Sequence, residues 1–227
     1  MGTRNNSQKI HRRPTARSKK PLHERKVIVI SAEGAVTEPL YFQSINRLDD
    51  FSYVNIIITP SPPSENKKTK KHKSDPLSVV QKCIEIRDSK KYDEVDAYFA
   101  VVDKDDWLEH KPGEQSVLEK AQQLAKKEEI NLVISNLKFE VWLMWHLDAS
   151  IKNFPITSAG IDEVCKRNEI LTERKRLHQN FPIGNYEQAI KKSSERGIPA
   201  IGEVGPHKTS GVPHIFFKLK ELKNEFQ

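Results

Sequence analysis

The chain has 227 residues, with 36% apolar and 30% charged side chains and a formal net charge of +7. No run approaches the ~18 apolar residues that a membrane span needs, and the basic N-terminal segment lacks the apolar stretch of a secretory signal. The two cysteines, Cys83 and Cys165, have no zinc-type spacing, so two reduced thiols in a cytoplasmic protein are expected.

The charge is unevenly placed. Residues 1–26 carry nine Lys or Arg against one acid, Glu24, a net +8 that leaves −1 of the total for the remainder. Residues 1–25 therefore read as a basic tail without the apolar content to fold. The pattern then alternates. Residues 26–32 are an apolar, β-branched strand ending near Glu33-Gly34, where Gly34 permits a tight turn. Thr37 is the expected N-cap of a helix, with Glu38 and Pro39 in its first turn and Leu40, Tyr41, Ile45 and Leu48 on its apolar face. Residues 53–59 form a second strand. A Pro-rich stretch and a basic cluster, Lys67, Lys68, Lys70, Lys71 and Lys73, lead to Asp75, which caps a helix running to about Arg87.

Residues 96–102 are the third strand, and it runs straight into Asp103-Lys104-Asp105-Asp106. A helix with Val117, Leu118, Ala121, Leu124 and Ala125 at helical spacing precedes the fourth strand, 130–134. Ser135 and Asn136 are expected to cap a helix over about 137–147. Strands separated by helical patterns predict βαβ units and an α/β fold with a mostly parallel four-stranded sheet, placed at 26–149. From about 150 to 227 helix-like pieces (161–168, 170–178, 185–195 and 215–226) are broken by Pro and Gly, which predicts a mainly helical C-terminal extension.

Ligands of open α/β sheets bind at the carboxyl ends of the strands. Two strand ends here deliver Glu33, Asp103 and Asp105 to one edge. Two unit charges about 4 Å apart repel by roughly 4 kcal/mol at an effective dielectric near 20. A divalent cation relieves that repulsion, and Mg²⁺ is commonly held by one or two carboxylates plus substrate phosphates. Glu38, in the first helical turn, and Glu140, one turn beyond Asn136, are further candidates for the same edge. Each also has a plainer reading, Glu38 as a partner of the helix dipole. His146 is a candidate general acid beside its simpler reading as a hydrogen-bonded core histidine. Trp142, Met144 and Trp145 read as core. The basic tail and the Lys67–Lys73 cluster suit electrostatic capture of nucleic acid. There is no phosphate-binding P-loop and no dinucleotide glycine fingerprint.

Three stretches, Glu33-Gly-Ala-Val-Thr37-Glu38-Pro-Leu-Tyr41-Phe42, Asp103-Lys104-Asp105-Asp106 and Ser135-Asn136-Leu-Lys-Phe139-Glu140-Val-Trp142, resemble the successive motifs of RloB-like proteins. The resemblance covers about residues 25–150. It implies a Toprim-like core and a bacterial, cytoplasmic component of anti-phage or abortive-infection systems, such as the second component of AbiL-type systems. It also implies a neighbouring AAA/ABC-type ATPase as partner. The implied catalytic and metal site is Glu33 with Asp103 and Asp105; the mechanism expected here has them bind Mg²⁺ or Mn²⁺, with Glu38 or Glu140 completing a second position. Leu137 stands where the family pattern has proline. Lys208, in Gly205-Pro-His-Lys-Thr-Ser-Gly, is a candidate contact to the scissile phosphate. The expected function is metal-dependent hydrolysis of RNA or DNA. The alternatives are a non-catalytic adaptor binding nucleic acid or the ATPase, and a nucleotidyl transferase; a homo-oligomer is compatible with each.

Overall fold

The computed structural model describes residues 25–60, 75–92, 94–147 and 157–226. The basic tail and the lysines Lys67, Lys68, Lys70, Lys71 and Lys73 lie outside the described residues. Among the described residues five strands form one sheet: β1 (Lys26–Ala32), β2 (Val54–Pro60), β3 (Ala97–Asp103), β4 (Asn131–Asn136) and β5 (Thr209–Ser210), in the order β2-β1-β3-β4-β5. The first four are parallel, as the alternating pattern predicts. The short fifth strand is an addition. It runs antiparallel to the end of β4, pairing Ser135 with Ser210 and Asn136 with Thr209.

Among the described residues seven α-helices surround the sheet: α1 (Thr37–Ile45), α2 (Pro76–Asp88), α3 (Val117–Lys127), α4 (Glu140–Met144), α5 (Ser158–Arg167), α6 (Tyr186–Arg196) and α7 (Pro213–Phe226). The period-two alternation of the strands sorts the core into two layers. Ile28, Ile30, Phe99, Val101 and Val133 face α1, α4 and the C-terminal helices. Ala100, Val102, Leu132 and Ile134 face α2 and α3. Caps fix where two helices begin. Asp75 accepts from the Ser78 N–H at 3.0 Å, with Pro76 in the first turn. Ser116 and Glu119 form a reciprocal capping box at the start of α3.

Local expectations fail where tertiary contacts take the side chain. Thr37 does not cap α1; it lies inside the first turn, and its hydroxyl donates to the Lys175 carbonyl at 3.0 Å. Ser135 and Asn136 are the last residues of β4, because β5 supplies them with a strand partner, and the following helix shortens to five residues. The Asn136–Leu137 peptide is cis. Residues 170–178 are not helical: an isolated antiparallel bridge pairs Leu171 with Leu177 around a tight turn.

The C-terminal helices share the first core layer. Ile215, Phe216, Leu219 and Leu222 of α7 are buried in the same cluster as Ile28, Phe51 and Trp142, and the Tyr53 hydroxyl donates to the Leu219 carbonyl at 2.6 Å. Each fully buried side chain of this size contributes about 1.5–3 kcal/mol. Leu219→Ala should therefore lower unfolding stability in urea by about 2–5 kcal/mol. Phe217→Ala, at a position 44% exposed, should change it by about 0.5 kcal/mol or less. Equal, negligible effects would mean that α7 is a detachable appendage.

Candidate functional site

The strand order places a switch point between β1 and β3. The chain leaves β1 toward α1 on one face and leaves β3 toward α3 on the other. A crevice opens outside the carboxyl ends of strands at such a point, and the acidic motifs meet there. Glu33 follows β1 and its N–H donates to the Val101 carbonyl at 3.0 Å. Its Oε2 accepts from the Asp103 N–H at 3.0 Å and its Oε1 from the Trp107 indole at 3.3 Å. Asp103, the last residue of β3, accepts from the Phe139 N–H at 2.7 Å, which ties the β3 end to the start of α4. Glu140, the first residue of α4, is 4% exposed.

Two further bonds staple the Asp-rich loop to the β4 exit. Lys104 N–H donates to the Ser135 carbonyl at 2.9 Å and Asp105 N–H to the Leu137 carbonyl at 3.1 Å. Asp105 sits at φ +31°, a left-handed conformation that aspartate tolerates better than most residues. On the α1 side the Gly34 N–H donates to Glu38 Oε1 at 3.0 Å. Gly34 has no positive φ; a Cβ there would overlap the Glu38 carboxylate as it is placed, so any larger residue would push that carboxylate aside. The turn glycine of the sequence is thus a close-approach glycine.

Burial raises every carboxyl of the group, and repulsion from neighbouring carboxylates adds to it. Burial, the largest cause, pushes Glu33 up to about 8, and repulsion from Glu38 and Asp105 adds to it. Glu38 rises to about 7 through burial and the nearby Glu140. Asp103 is held well above the usual carboxylate range by burial and by the charges of Glu33, Glu38, Glu140 and Asp105. Burial also raises Asp105 and Glu140. Two cations moderate the repulsion. Lys138, 5% exposed, bonds Asp162 at 2.7 Å and Ser158 at 3.1 Å. Burial opposes its charge, yet Glu140, Asp162 and Asp103 leave its pKa above the ordinary lysine value. Lys175, exposed on the 171–177 turn, lowers Glu38, Asp105 and Glu140 from a distance. Among the described residues no lysine or arginine forms an ion pair with Asp103 or Asp105.

Glu33, Glu38, Asp103, Asp105 and Glu140 are therefore brought together. His146 is not. It is fully buried, edge-on to the rings of Tyr41 and Trp142. The Trp142 carbonyl beside Nδ1, at 3.3 Å, can only accept, which puts the proton on Nδ1 and leaves Nε2 to accept from the Tyr41 hydroxyl at 3.2 Å. Burial lowers its pKa to about 4, so the ring is neutral. Lys208 lies beside the β4 end, its N–H donating to the Asn136 carbonyl at 2.8 Å, but its side chain has no bond to the carboxylates among the described residues. Trp107, Lys138 and Lys175 were not singled out by the sequence. The indole donor and Lys138 lie next to the acidic motifs, whereas Lys175 was hidden in an expected helix.

The donor set has the chemistry of a hard divalent cation site: several oxygen ligands, desolvated and short of compensating charge. Among the described residues, no three His, Cys, Asp or Glu side chains stand in position to enclose an ion. The oxygens of Glu33, Glu38 and Asp103 are turned instead toward the N–H groups of Asp103, Gly34 and Phe139. Among the described residues no helix is long and apolar enough to cross a membrane. A family model described as RloB-like protein matches residues 28–200. No curated protein and no solved structure matches the chain.

A raised carboxyl pKa makes the folded state hold a proton that the unfolded chain has already lost, so stability falls as pH rises toward the folded pKa. His146, depressed to about 4, acts in the opposite direction but has finished by about pH 6.5, the ordinary histidine value. In EDTA, unfolding stability should therefore decline between about pH 6.5 and 8.5, and Glu33→Gln should flatten that slope. A stability that rises through this window, or a slope indifferent to Glu33→Gln, would contradict the electrostatic account.

Proposed function

The chain belongs to the RloB-like family, and from that membership and its carboxylate cluster we propose that it is a metal-dependent phosphodiesterase acting on nucleic acid. The observation that carries the reading is the convergence of Glu33, Glu38, Asp103, Asp105 and Glu140 at the switch point of the sheet, with burial raising them all. Glu33, Asp103 and Asp105 would hold Mg²⁺ or Mn²⁺, and Glu38 or Glu140 a second position. A bound divalent cation supplies Lewis-acid polarisation of a phosphoryl oxygen and lowers the pKa of a bound water.

The chain's own groups do the rest. The Asp103 and Gly34 N–H groups fix the rotamers of Glu33 and Glu38, and Trp107 holds the second Glu33 oxygen. Glu38, raised to about 7, is matched to accept a proton at neutral pH. The lysines of the tail and of the 67–73 cluster attract phosphates without reading sequence. The family setting adds a partner ATPase and a role in anti-phage defence, with the ATPase supplying the nucleotide switch that this chain lacks.

One observation favours a second reading. Carboxylate oxygens already satisfied by backbone N–H groups, with no enclosed triad among the described residues, are what a non-catalytic adaptor with a structural acidic edge would display. Incubation with tRNA, plasmid and single-stranded DNA, with and without the neighbouring ATPase, separates the two. Cleavage in Mg²⁺ or Mn²⁺, abolished by EDTA and reduced about 10²-fold or more by Asp103→Asn, is the expected result. No cleavage of any substrate, with Asp103→Asn still protecting cells from phage, would establish the adaptor, and incorporation of labelled nucleotides would point to a transferase.

A further inference from the structure

We propose that the cavity between α1 and the 171–177 turn is a nucleoside pocket, so that the substrate is a single-stranded nucleic acid with an unpaired base seated beside the carboxylate edge. The inference rests on the phosphodiesterase reading and names its substrate class. Three observations carry it. The first is the cavity, about 380 Å³, with Leu40 and Leu177 on its apolar side and Ser44, Arg176, His178 and Gln179 supplying polar groups. That combination of apolar side chains and a few donors and acceptors matches a base better than it matches a phosphate.

The second is charge. The turn carries Arg174, Lys175 and Arg176 in succession, all exposed, and none forms an ion pair among the described residues. The third is placement. The turn is built by the Leu171–Leu177 bridge and by the Thr172 N–H donating to the Arg176 carbonyl at 2.8 Å. It is fastened to the first turn of α1 through the Thr37 hydroxyl and the Lys175 carbonyl. Leu40 and Ser44 line the cavity from the other side of α1 from Glu38, and the turn joins the two places: Arg176 borders the cavity while the adjacent Lys175 acts on Glu38, Asp105 and Glu140, so a strand laid across the turn reaches both. Bases in a duplex are stacked and paired and cannot offer a face to such a cavity without being extruded.

The test measures binding, not cleavage. The full chain in EDTA is titrated into fluorescently labelled oligonucleotides of one sequence, as single-stranded RNA, single-stranded DNA and duplex DNA, and anisotropy is followed at several salt concentrations. The basic tail attracts all forms through their phosphates, so the ratio of affinities reads the cavity. Single strands should bind about tenfold or more tightly than duplex. Leu40→Ser should remove most of that preference with an unchanged salt slope. Arg176→Ala should weaken binding and reduce the slope by about 0.7. Gln179→Ala, at an exposed position, should also reduce the preference and serves if Leu40→Ser does not fold. Equal affinity for RNA and DNA assigns the contact to the base alone, and tighter RNA binding adds the 2′-hydroxyl; both support the pocket. Equal affinity for single strand and duplex, or variants that bind single strands as the unaltered protein does, would overturn it. Loss of cleavage with the strand preference intact would sink the hydrolase reading alone.

Discussion

The constraint on which the site depends is that carboxylates gathered out of water at one sheet edge repel one another and must be held there. Neutral groups do the holding. The N–H groups of Asp103, Gly34 and Phe139 each donate to one of the acidic side chains, and the Trp107 indole donates to another oxygen. Such bonds favour the charged form without cancelling its field. Positive charge stays at arm's length: Lys138 is committed to Asp162, and Lys175 acts from an exposed turn. The edge is therefore short of paired cations and holds protons in their place, which a divalent cation would displace.

Topology creates the place where this happens. The order β2-β1-β3-β4 sends α1 and α3 to opposite faces, so the ends of β1 and β3 are adjacent and uncovered. The pairing of Ala32 with Val101 sets their relative height. Asp103 opposite Ser135 then brings the β4 exit, and with it Glu140, to the same level. On the far side, the aromatic layer of Tyr41, Phe139 and Trp142 packs edge to face beneath the site. The neutral His146 belongs to that layer, as a packing and hydrogen-bonding group.

The parallel sheet and the acidic edge were legible in the sequence because their signals are local. Four β-branched runs alternate with amphipathic stretches, and the carboxylates sit at the ends of those runs. Three features were not legible, each because a distant contact decides it. Ser135 and Asn136 have the composition of a cap, but a two-residue strand about seventy positions later recruits them into the sheet. Residues 170–178 have helical composition, yet the Leu171–Leu177 bridge and the tie to Thr37 bend them into a turn. Gly34 reads as a turn residue, whereas its role is to leave room for the Glu38 carboxylate. Of the two readings of His146, the structure bears out the hydrogen-bonded core histidine and not the general acid.

The central claim is that these carboxylates share a divalent ion. Titration of the purified protein with Mn²⁺, followed by the loss of the free-ion electron paramagnetic resonance signal, measures this directly, without reference to substrate or partner. The account predicts saturable binding that Mg²⁺ displaces, that weakens as pH falls below about 8 where first Glu33 and then Glu38 regain protons, and that Asp103→Asn abolishes. A free-ion signal that never falls, or binding that Asp103→Asn leaves intact, would contradict it.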